Sequence, residues 1–281
     1  MRCARSLRCY MSLMALHSMQ AFPTAPRGTF ESQLEQLSEA GFDGVQFAEM
    51  ASGSQLACCR ALSMGIAGSG RINCPSESDT LAERMAGDGY ECATIHLGWG
   101  LEDDKQAGAL VESVLRASER RKFPLYIETH RATLCQDMWR SVQLTKRFPE
   151  IRFNGDFSHW YAGQEMVYGG FERKLEFIRP VIERVRFLHG RIASPGSIQV
   201  PPHVGDTPPM YMQHFREMWT ACFRAFLNEG DADFIYFTPE LLGPDIFYAR
   251  TFNGVEEGDR WKDSLVLKGI AQECFQFAQF C

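Results

Sequence analysis

No run in the 281 residues approaches the ~20 consecutive apolar side chains that a membrane-spanning helix needs. No two of the ten cysteines are spaced CxxC, and Cys58 and Cys59 are adjacent, a placement that rarely bridges. Scattered cysteines in a chain of this size point to reduced thiols and a reducing, cytoplasmic compartment. Excess positive charge is also missing. Lys and Arg total 29 against 35 Asp and Glu, for a net charge of -6. That balance disfavours a nucleic-acid partner, because phosphate binding is driven by clustered cations. No GxGxxG follows the first strand-like segment, and "GSGR" at 68–71 is only a fragment of one. A dinucleotide-binding open sheet therefore lacks its fingerprint.

Acids are absent from the first 30 residues, which carry Arg2, Arg5, Arg8 and Arg27 before the first acid at Glu31. Such a start suits a transit peptide. It also suits a first β-strand, "LRCYMSL", and the strand count below requires that strand.

What is present is a core-forming chain: 45% hydrophobic residues and 23% charged. Apolar strands and amphipathic helices alternate along its length. "TFESQLEQLSEAGF" (29–42) is predicted helical, with Thr29 as N-cap, Glu31 in the positive first turn and Gly41 at the C-terminus. After "LRCYMSL", predicted strands cover 44–50, 65–72, 92–100, 123–130, 151–159, 185–192 and 233–241, with helices between them, one of them over 170–184. Eight strands alternating with helices imply parallel βαβ units. At this length they predict an α/β fold, a single (β/α)8 TIM barrel over residues 1–281. The irregular segments 193–209 and 243–260 follow late strands and suit a lid.

In such a barrel, reactive groups sit at the C-terminal strand ends. Here these ends carry Glu49, His96, Glu128 with His130, Asp156 with His159, His189 with Arg191, and Glu240. One acid, as in "GDFSH", is explained by a capped turn. Acids or histidines ending every strand from the fourth to the eighth are not. Crowded charges at a barrel mouth repel unless a cation sits between them. Carboxylates with imidazole form a ligand set for one divalent metal: Mn or Mg by the oxygens, Co or Zn by the nitrogen.

The ordered stretches "AGFDGVQF", "YIETHRAT", "FNGDFSHW", "FLHGRI" and "TPEL" resemble the xylose isomerase-like TIM barrel superfamily, the sugar phosphate isomerase/epimerase group, over nearly the whole chain. The resemblance implies one metal held by Glu128, Asp156, His189 and Glu240. It implies isomerisation or epimerisation of a keto sugar, sugar phosphate or polyol by proton transfer through a metal-bound enediolate, with Glu128 and Glu240 as catalytic acid and base. His96, His159 and Arg191 would bind substrate, and Trp99 and Trp160 would wall its C–H face. His130, His203 and His214 are assigned no role. The implied partner is a small carbohydrate, and the implied assembly is a dimer or tetramer.

The same constellation serves a lyase that dehydrates a keto-cyclitol or a dehydroshikimate-like acid. Endonuclease IV-like phosphodiester cleavage is less favoured. That branch adds an Asp-x-His pair where this chain offers only His203 and Asp206, and the net charge is acidic. A non-catalytic sugar-binding barrel is the remaining class.

Overall fold

The computed structural model describes residues 5–202, 207–229 and 232–280. Eight parallel strands close into a barrel in sequence order: β1 (Ser6–Ser12), β2 (Gly44–Phe47), β3 (Gly65–Ile72), β4 (Cys92–Leu97), β5 (Leu125–Glu128), β6 (Phe153–Asn154), β7 (Val185–Gly190) and β8 (Phe234–Pro239). Closure is made by β1 on β8, with Cys9 opposite Phe237. Strands enclosed by helices read as near-continuous apolar runs, and every residue of "VRFLHG" in β7 is buried.

The helices are α1 (Leu13–His17), α2 (Phe30–Glu39), α3 (Gly53–Ala61), α4 (Pro75–Asp88), α5 (Asp104–Arg121), α6 (Met138–Arg147), α7 (Ser158–Gly163), α8 (Phe171–Phe177), α9 (Arg179–Ile182), α10 (Met210–Glu229) and α11 (Arg260–Phe280). Their starts are written in the sequence. The Thr29 hydroxyl accepts from Ser32 N, and Ser52 with Gln55 and Asp103 with Gln106 form reciprocal capping boxes. Gly41, just past α2, takes φ 77°, as a glycine C-terminal stop requires. Helices pack on the outer barrel face through side chains such as Trp219 of α10, whose ring sits edge-on to Phe237 at 5.1 Å.

Tyr10, Tyr126, Phe187 and Tyr236 fill the lower barrel interior, and Tyr10 and Tyr236 both donate to the Glu91 carboxylate. A Cβ on Gly65 would stand 1.8 Å from the Tyr10 hydroxyl, so this aromatic floor requires glycine there. The floor leaves the open end of the barrel interior at the C-terminal strand ends.

Two segments depart from expectation. The sixth strand shrinks to two residues, its register slipping against β7 so that Phe153 faces Val185 and Asn154 faces Phe187. The Asp156 carboxylate then accepts from Ser158 N and Oγ and opens α7, so Ser158 and His159 are helical rather than extended. The helix expected over 170–184 is broken into α8 and α9 at Ile178, two residues before Pro180, whose ring cannot donate into a continuing helix. No helix among the described residues is long and apolar enough to cross a membrane. His203 and Asp206 lie outside the described residues.

Candidate metal centre

Glu128 ends β5, Asp156 follows β6 by two residues, His189 is next to last in β7, and Glu240 directly follows β8. One ligand atom from each lies within 4.8 Å of all the others. The Glu240 backbone is fixed by its N–H donating to Gly190 O at 3.2 Å. Asn154 Nδ2 donates to Glu128 Oε2 at 3.0 Å and sits 3.0 Å from His189 Nδ1.

The other ring nitrogen, His189 Nε2, faces Gln46 Oε1 at 3.0 Å. Gln46 in turn donates through Nε2 to Thr94 Oγ1 at 2.9 Å, which turns its amide oxygen toward His189. Nε2 therefore carries the proton in the neutral ring, and Nδ1 is left to face Glu128 and Glu240 at 3.3 and 3.4 Å. Burial alone would lower the His189 pKa. Glu240 and Glu128 beside Nδ1 reverse that and carry it up to about 9. The carboxylates thus hold a positive charge at the nitrogen where a metal would bind.

Arg191 is buried between two of these acids. Nη1 is 2.9 Å from Asp156 Oδ2, Nη2 meets Glu240 Oε2, and Nε donates to Glu240 O at 2.9 Å. Burial opposes ionisation of Asp156, but Arg191 and then His159 outweigh it and hold the carboxyl below its ordinary range. Burial likewise opposes the charge on Glu128, and His96 and His189 hold its pKa well down. Three carboxylates against the Arg191 guanidinium leave two negative charges once His189 gives up its proton, and buried charge of that size is costly unless neutralised. Glu128 Oε1 is buried and makes no hydrogen bond among the described residues, with the His96 ring beside it at 3.3 Å. The donor set, the residual charge and the orphaned oxygen all fit one divalent cation. The cluster can hold a metal.

A cavity of about 310 Å³ opens beside the cluster, bordered by Glu128, His189, Glu240, His96, His130 and Tyr248, among others. His96 Nε2 lies 3.3 Å from Glu128 Oε1. The rings of His96, His130 and His159 form a row, with centroids 4.3 and 4.0 Å apart. The middle ring, His130, accepts from Ala132 N through Nδ1 and faces the Tyr248 hydroxyl with Nε2 at 3.4 Å. Burial and then His159 lower its pKa to about 3, so it stays neutral. His96, Glu128 and His130 form a second group with converging ligand atoms.

The structure corrects four expected substrate contacts. Trp160 is 0% exposed and donates to Cys135 O at 2.9 Å, so it is a core residue. Trp99 is 54% exposed but lies off the cavity wall, because the turn at Gly98 and Gly100 carries it outward. Arg191 does not border the cavity, and the two acids take up its fork. His159 is buried behind His130, 3.3 Å from Asp156. His96 borders the cavity. The sequence reading missed Gln46, Asn154, Arg71 and Tyr248 and assigned His130 no role. A lone amide inside the apolar strand "GVQF" was the available signal for Gln46, and "GRI" at the end of β3 was the signal for Arg71. Tyr248 comes from the 243–260 segment, which does reach over the cavity.

No protein-family model matches the chain, and no curated protein matches it. Solved structures do. A xylose isomerase-like TIM barrel protein from Mycobacterium smegmatis, in complex with magnesium, superposes with TM-score 0.59 at 10% identity, over 98% of this chain and 100% of that one. The probable 3-DHS dehydratase AsbF from Bacillus anthracis gives 0.57 at 13% identity, over 94% and 97%. Endonuclease IV from Thermus thermophilus gives 0.54 at 16% identity, over 95% and 99%. At these identities the likeness is one of fold, and the chain is a (β/α)8 barrel with the fold of these structures.

Proposed function

We propose that the protein is a divalent-metal-dependent isomerase or epimerase of a small keto sugar or related polyol. The observation that carries this reading is the buried Glu128, Asp156, His189 and Glu240 cluster opening onto a cavity at the C-terminal strand ends. Held by these four residues, the metal would polarise a carbonyl and acidify the neighbouring C–H. Manganese is the first ion to test, since three of the four ligands are carboxylates.

Glu128 ends β5 and Glu240 follows β8, three strands apart in a ring of eight, and both border the cavity. They therefore face a bound substrate from different walls. Glu128, held ionised by its histidine neighbours, takes the proton from carbon. Glu240, protonated from solvent through the cavity, returns one from the other face, and Glu128 passes its proton to solvent. A positioned acid or base of this kind contributes ~10²–10⁴-fold. His96, 3.3 Å from Glu128 Oε1, orients the base and lies within reach of a substrate hydroxyl.

The test is deuterium uptake from D₂O, read by mass spectrometry, across a panel of ketoses with manganese-loaded protein. Uptake next to a carbonyl, lost in Glu128→Gln, supports the reading. No uptake across the panel overturns it. An enone absorbance appearing without uptake would reassign the site to dehydration.

A further inference from the structure

The cavity has a second electrostatic pole. Arg71, near the end of β3, borders it two strands away from Glu128. Its guanidinium stacks on the Trp99 ring at 4.2 Å. Nη1 donates to Gly98 O at 2.8 Å and reaches Ala132 O at 3.5 Å, while Nη2 points at His96 Nδ1, 3.4 Å away. Among the described residues, Nε has no hydrogen-bond partner and this cation has no carboxylate in ion-pair contact. The nearby acid Glu102 is engaged elsewhere, accepting from Trp99 N and Gly100 N. Burial lowers the Arg71 pKa, with Glu128 and Glu102 acting against it from a distance.

A cation stacked on an indole, bonded to backbone carbonyls and partly removed from water, with no carboxylate in ion-pair contact among the described residues, keeps its charge available to a ligand. The two poles are separated by one imidazole, since His96 touches Arg71 through Nδ1 and Glu128 through Nε2. We propose that Arg71 is an anion anchor: the substrate carries an oxyanion, a phosphate monoester or a carboxylate, a short distance from its keto group. The planar fork of arginine suits both groups. The stack on Trp99 and the bond to Gly98 set its orientation before the ligand arrives. This inference rests on the proposed isomerase or epimerase reading, which it narrows to an acidic ketose.

The experiment is calorimetric titration with three ketoses: xylulose, which is neutral, xylulose 5-phosphate and fructuronate, which carries a carboxylate. Manganese-loaded and metal-free protein are both titrated, with metal content measured separately. In wild type, one of the anionic ketoses is expected to bind about tenfold to a hundredfold tighter than xylulose, the range of a charge-assisted hydrogen bond. Arg71→Gln should remove that preference at unchanged metal content and melting temperature, and Arg71→Lys should restore part of it. Whether phosphate or carboxylate binds tighter names the oxyanion. If Arg71→Gln does not fold, the wild-type preference and its loss in Arg71→Lys at high salt decide. Equal binding of all three ketoses, no binding of any, or a preference that survives Arg71→Gln overturns the proposal. A preference seen in protein that takes up no metal would sink the isomerase reading and leave the anchor standing.

Discussion

Arg191 and Asp156 form an ion pair with both side chains fully buried, Nη1 standing 2.9 Å from Oδ2. Asp156 belongs to the four-residue cluster, and Arg191 partly neutralises that cluster. Removing one partner of a buried pair leaves the other uncompensated, at a cost of about 3–5 kcal/mol. Arg191→Met should therefore destabilise metal-free protein by about that amount, and saturating manganese should recover part of it. Urea unfolding with and without the ion measures both, and equal midpoints for variant and wild type would contradict the assigned role.

His189 makes the metal-free protein sensitive to pH. Its folded pKa of about 9 exceeds the ordinary 6.5. A raised histidine pKa adds stability that is complete below 6.5 and lost as pH rises through about 9, at most about 3 kcal/mol in all. The proton competes with the metal for Nδ1, so manganese affinity should climb with pH through the same window. Binding titrations across it check the sign, and an affinity that falls with rising pH would contradict the assignment of Nδ1.

Gln46 touches no metal position, but its Oε1 fixes the His189 ring. Loss of such an outer partner typically weakens metal binding 10–100-fold. Gln46→Leu should lose about that much in competition with a chelator while keeping its fold by circular dichroism. Unchanged affinity would show that the ring is held by packing alone.

Trp160→Phe separates core from site. The Cys135 carbonyl loses its indole donor, a cost of about 1–3 kcal/mol in stability. Metal content and solvent exchange should not change. A loss of exchange in a normally folded variant would return Trp160 to the substrate wall.

The strands and the convergence of Glu128, Asp156, His189 and Glu240 were legible because parallel strands repeat one pattern, apolar runs closed by polar ends. Strand 6 was misjudged because "IRFNGDFSH" is apolar enough to extend, whereas Asp156 bonds its own neighbour Ser158 and turns the chain into α7. Trp99 and Trp160 were misassigned for a different reason. Nearness in sequence to a strand end does not set direction: Trp99 is carried outward by a glycine turn, and Trp160 is turned inward by the first turn of α7. Arg191 could not be distinguished from a substrate ligand, since its role depends on the separation of Asp156 and Glu240, which are 84 positions apart in the chain but bridged by one guanidinium.

Metal content of protein purified without chelator, measured beside Asp156→Ala, decides whether the four-residue cluster is a metal site. About one divalent ion per chain is expected in wild type, with its loss in the variant. Wild-type protein that holds no divalent ion even after reloading, or an Asp156→Ala variant that binds it as tightly as wild type, would mean that these acids do not form a metal centre.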